Sequence, residues 1–118
     1  MRSDWDVPIT DEEKLEIHRI ANLLASGHAR RVESEGLLRR ATAAEVESAI
    51  GDFGPTLIPL PSNAFDLADV CRHGPAGDEF IVDLPLWTAD GRSDLVVRLL
   101  LRRQRGRSEI SVWDVLAP

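Results

Sequence analysis

The sequence predicts an α+β fold, with two or three N-terminal helices packed on one face of a C-terminal four-stranded antiparallel meander sheet. Three observations predict it. Two capping boxes open amphipathic runs in the first half, three prolines within seven residues ("PTLIPLP") separate the halves, and four strand-like runs joined by short glycine-containing segments fill the second. At 118 residues the chain can bury one modest core but not two, so residues 1–118 are read as a single domain.

Residues 1–9 ("MRSDWDVPI") form an arm whose Trp5 and Ile9 can pack on the domain, with Pro8 preventing an earlier helix start. The helical half spans residues 10–54. Thr10 with Glu13 makes a capping box, the acidic residues 11–13 suit the positive end of the helix dipole, and Ile17, Ile20, Ala21, Leu23 and Leu24 give one apolar stripe that ends at Ser26-Gly27. "HARRVES", from His28, is a short second helix closed by Gly36. Thr42 with Glu45 repeats the capping box and opens a third, with Val46, Ala49, Ile50 and Phe53 at helical spacing and Gly51 and Gly54 as stops. Residues 55–64 are an extended, proline-rich connector.

The β half, residues 65–117, contains the runs Phe65–Arg72, Asp78–Leu86, Ser93–Arg102 and Ser108–Leu116. Alternation sends Leu95, Val97, Leu99 and Leu101 of the third run to the core, together with Phe80, Val82, Leu84 and Leu86 of the second and Ile110, Val112, Asp114 and Leu116 of the fourth. The other face then carries Ile81, Asp83, Pro85 and Trp87, Asp94, Val96, Arg98 and Leu100, and Trp113 and Val115. This face is too apolar for a sheet open to water and is expected to be covered. Pairing Thr88 with Ser93 sets Asp83 opposite Arg98, and pairing Arg102 with Glu109 sets Arg98 opposite Trp113. The result is a line of Asp83, Arg98 and Trp113 in which the guanidinium is held between a carboxylate and an indole.

Composition narrows the function classes. A net charge of −6 argues against nucleic-acid binding, which needs a basic face, and leaves a cationic partner open. The four arginines of "RRQRGR", Arg102 to Arg107, are read as a solvated hairpin tip. Lys14 is the sole lysine, a bias in keeping with a GC-rich bacterial genome. Cys71 is the single cysteine, so no internal disulfide forms; a reducing, cytoplasmic setting follows, with the thiol read as buried in a strand. No basic start leads into an apolar run, and no stretch approaches the roughly 18 apolar residues of a membrane span. His18, His28 and His73 are not at ligand spacing, so no metal site and no cofactor is expected.

Leu86-Trp87-Thr88 followed by Gly91-Arg92-Ser93-Asp94-Leu95 resembles the hairpin signature of an uncharacterised bacterial family of small domains. The similarity extends upstream through the connector and "AFDLADV". What the resemblance implies is a compact α+β domain, with no activity attached to the motif.

Two functions remain open. In the first, the chain is a non-catalytic interaction protein that dimerises or binds a protein partner through the outer sheet face, with Trp87, Arg98, Trp113 and Asp83 as anchors; an immunity-type protein masking a basic toxin is one such case. In the second, a cone-like architecture similar to the nuclear-transport-factor and ketosteroid-isomerase group binds a small molecule, as in secondary metabolism. A carboxylate in apolar surroundings, Asp114 or Asp69, then serves as acid or base. Asp94, just after the turn glycine, is read as holding the hairpin tip.

Overall fold

The computed structural model describes residues 9–75 and 77–117. Trp5 of the arm lies outside the described residues, whereas Ile9 packs against the core. The helices are α1 (Asp11–Ala25), α2 (Ala29–Ser34) and α3 (Ala43–Phe53). Both capping boxes form: the Thr10 and Thr42 hydroxyls accept from the Glu13 and Glu45 amides, and each glutamate accepts from its threonine amide in return. Gly51 lies inside α3, where its neighbours carry the helix through it, and Gly54 alone ends the helix, at φ 97°.

Five strands follow, β1 (Leu57–Ile58), β2 (Asp69–Arg72), β3 (Glu79–Thr88), β4 (Gly91–Gln104) and β5 (Arg107–Leu116), all antiparallel in the order β1-β3-β4-β5, with β2 also on β3. The connector thus contributes a strand that its prolines disguise. Asn22 and His18 of α1 bind the backbone of Leu60, and Leu57 and Ile58 pair with Thr88 and Trp87. Conversely, Ala64–Leu67 is a 3₁₀ turn, so the first predicted run is a strand only from Asp69.

Ile17, Ile20 and Leu24 of α1, Val32 of α2 and Val46 of α3 meet Val82, Leu84, Leu86, Leu95, Val97, Leu99, Leu101 and Val112 in one buried cluster. Each of these large side chains contributes roughly 1.5–3 kcal/mol by leaving water. The free edge of β5 is closed by the segment after α2, where Leu38 bridges Val112 and the Leu37 carbonyl and Arg39 amide complete the pairing. At the far end, the guanidiniums of Arg72 and Arg103 stand over the Phe80 ring at 5.8 and 5.2 Å.

Two irregularities correct the expected register. Between Pro85 and Trp87 the β4 side carries extra residues, so Thr88 pairs with Gly91 rather than Ser93, while Asp83 still faces Arg98. The Ser93 hydroxyl fills the gap, donating to the Leu86 carbonyl at 2.8 Å and accepting from the Leu95 amide at 3.1 Å. On β5 one extra residue, Trp113, sits between the Leu99–Val112 and Arg98–Asp114 pairs. Every later residue then changes face: Val115 is buried in the core, and Asp114 stands exposed on the outer side opposite Arg98.

Candidate binding face on the outer side of the sheet

The outer face is built from β2, β3, β4 and β5, because residues opposite one another in an antiparallel pair share a face. One row holds Cys71, Ile81, Leu100 and Ser111; the next holds Asp69, Asp83, Arg98 and Asp114. Ile81 and Leu100 are buried yet lie outside the core cluster on which the described helices pack. Their cover comes from the chain itself: the His73 and Trp113 rings meet edge to face at 4.8 Å, and Ile81 and Leu100 lie between them in the register. Arg40 stands over the same indole at 5.1 Å. Trp113 is thereby a lid on half of this face, and the Asp83–Arg98–Trp113 line becomes Asp83–Arg98–Asp114.

Asp83 and Arg98 form a two-pronged ion pair, with Nε donating to Oδ1 at 2.8 Å and Nη2 to Oδ2 at 2.9 Å. These hydrogen bonds raise the Arg98 pKa further above its ordinary value. Beside the pair, the half of the face beyond the lid sinks into an open depression of about 380 Å³. Pro85, Val96 and Leu116 make its apolar lining, with Leu67 at the margin 44% exposed; Asp69, Asp94 and Arg92 stand around it. Trp87, two residues beyond Pro85 on β3, is half-buried and packs against the core, paired with Ile58 on one side and Arg92 on the other.

Other expected residues fall elsewhere. Neither Asp114 nor Asp69 is in apolar surroundings: both are exposed, and Asp114 Oδ1 accepts from the Val115 amide at 2.8 Å. The bulge at Trp113 explains the first, and the position of β2 at the sheet edge the second. Cys71 is exposed for the same reason. The β3–β4 turn is tied by Thr88, whose hydroxyl accepts from the Asp90 amide at 3.2 Å, and by Ser93, while Asp94 has no bonded partner among the described residues.

At the β4–β5 tip, Arg102 binds Glu79 at 2.7 Å and Arg103 binds Glu13, leaving Arg105 and Arg107 exposed. A recess of about 580 Å³ there is lined only by polar side chains. Glu13 was legible as a cap and missed as a clasp. Its buried carboxylate also accepts from Arg103 Nε at 2.9 Å, Arg103 Nη2 at 2.7 Å and Ser108 Oγ at 2.6 Å. The Arg103 hydrogen bonds above all hold its pKa at about 2.

Among the described residues no three His, Cys, Asp or Glu side chains converge as metal donors, and no helix is long and apolar enough to cross a membrane. No curated protein and no solved structure matches the chain. Residues 21–118, from the middle of α1 through the last strand, match the family model described as Domain of unknown function (DUF7668), and the chain belongs to that family.

Proposed function

We propose that this chain is a non-catalytic binding module of the bacterial cytoplasm that engages a protein partner through the uncovered half of its outer sheet face. The observation that carries the reading is the contrast between the two halves of that face. One is roofed by His73 and Trp113; the other leaves Pro85, Val96 and Leu116 around an open depression, next to a guanidinium already oriented by Asp83. Apolar surface ringed by polar groups, with a fixed arginine in its wall, has the make-up of an interface. The anchors are Arg98, Asp83 and Trp87, with Trp113 acting as the lid. An immunity-type role, in which the face masks another protein, is one form of this reading.

A different partner is favoured over a second copy. An isologous dimer on this face would gather the carboxylates Asp69, Asp83 and Asp94 of both copies into one interface. Site-specific photo-crosslinking in the native cells tests the proposal. A crosslinker at Val96 should yield one discrete heteromeric adduct, and one at the exposed Asp52 of α3 should not. The purified partner should then bind the wild-type protein and lose at least about tenfold in affinity on Val96→Arg, equivalent to about 1.4 kcal/mol. An adduct formed only between two copies of this chain, or an affinity unmoved by Val96→Arg, overturns the reading.

A further inference from the structure

The register places two carboxylates, Asp69 and Asp83, directly across from one another on the outer face. Like charges in that position repel. Arg98 serves Asp83 from the other side with both of its prongs, and no cation of the described protein serves Asp69. The imbalance continues along the depression. Asp94 is exposed without a cationic partner among the described residues, whereas Asp114 shares Arg98 from the neighbouring strand; Asp66 and Asp90 are exposed in the chain next to Leu67 and two residues before Arg92. Of the carboxylates that line the depression, Asp83 is taken by Arg98, and Asp69 and Asp94 therefore face one uncommitted guanidinium among the described residues, that of Arg92.

We infer that the uncovered half of the outer face takes a basic segment of a partner protein, a lysine or arginine side chain seating against Asp69 above the Pro85 and Val96 floor. This rests on the binding-module reading and names the partner's chemistry. The seat needs a side chain rather than a bare ion, because the aliphatic stem of a lysine or arginine covers the apolar floor while its head meets the carboxylate. Arg98 contributes as a fixed wall: neutralised by Asp83, it does not repel the incoming cation as a free guanidinium would.

End-blocked model peptides of alternating Lys-Val, Ser-Val and Glu-Val sequence, titrated into the full chain and followed by backbone amide resonances, separate the possibilities. The Lys-Val peptide should shift the amides of Asp69, Asp83 and Val96. Its dissociation constant should rise about tenfold between roughly 0.05 and 0.3 M salt, as expected for exposed charges. Asp69→Asn and Asp94→Asn, both exposed positions that leave the core untouched, should each weaken it about threefold. The Glu-Val peptide should leave these amides unmoved. If Ser-Val binds the same amides as tightly as Lys-Val and the two variants change nothing, the charge inference falls while the binding face stands. If Lys-Val shifts only the acidic first turn of α1, the inference falls. If no peptide moves the amides of the depression, both readings fall together.

Discussion

Arg105 and Gly106 make the two-residue turn between β4 and β5 with φ of 53° and 76°. Two positive φ values mark the turn type that follows the twist of a hairpin, and asparagine followed by glycine suits it best. An arginine there crowds its Cβ against the backbone, a cost of roughly 1–2 kcal/mol. Arg105→Asn should therefore raise stability by about 0.5–1 kcal/mol in urea unfolding, while the β-branched Arg105→Val should lower it. Asp69 offers a second test, independent of any partner. Asp69→Lys replaces a repulsive cross-strand pair with an attractive one, and should raise the thermal midpoint by an amount equivalent to about 0.2–1 kcal/mol, the gain shrinking as salt is added. At this scale the sequence was informative wherever the signal was local. The Thr-x-x-Glu boxes at Thr10 and Thr42 could be read directly, because donor and acceptor lie three residues apart.

The strands were legible as runs of alternating residues, but their two bulges were not. A hydroxyl stands in for ladder bonds at the first one. Ser93→Ala would leave the buried Leu86 carbonyl without its donor, and should cost about 1–3 kcal/mol in chemical unfolding, more than replacement of an exposed serine such as Ser48 would cost by propensity alone. At the second, Trp113 is the inserted residue, and its insertion decides which of Asp114 and Val115 enters the core. A hint was present in "VWDV": unbroken alternation buries an aspartate and exposes a valine, and one extra residue reverses both. The two-residue β1 was hidden for another reason. Its pairing with Trp87 and Thr88 is held by α1 through Asn22 and His18, residues remote in sequence from both strands.

On the scale of the whole molecule, Glu13 joins the start of α1 to the β4–β5 hairpin some ninety residues later. Its carboxylate, ordinarily near 4.5, is held at about 2 chiefly by Arg103. A group whose pKa is lowered on folding stabilises the fold fully above its unfolded value, and that share is lost as pH falls through 4.5 towards about 2. The share is about 3 kcal/mol at neutral pH. Glu13→Gln should be less stable at pH 7 by an amount of that order, and the gap between wild type and variant should close between about pH 5 and about pH 2 in urea midpoints measured across the range. A gap that stays constant with pH would show that the Glu13 charge contributes nothing to the stability of the fold.

What the sequence by itself determined is the α+β class, the two helices opened by capping boxes, the antiparallel hairpins and the facing of Asp83 and Arg98. Each follows from interactions within a helical turn or between neighbouring strands, where spacing and geometry are the same thing. The tertiary structure alone decided which half of the outer face is open. That depends on Trp113 being displaced by a bulge, on His73 and Arg40 arriving from distant loops to meet it, and on β2 lying at the sheet edge with Asp69 and Cys71 exposed. Period-two reasoning assumes no inserted residue. One insertion inverts the faces of all that follows, and whether it occurs is settled by the twist and packing of the complete sheet.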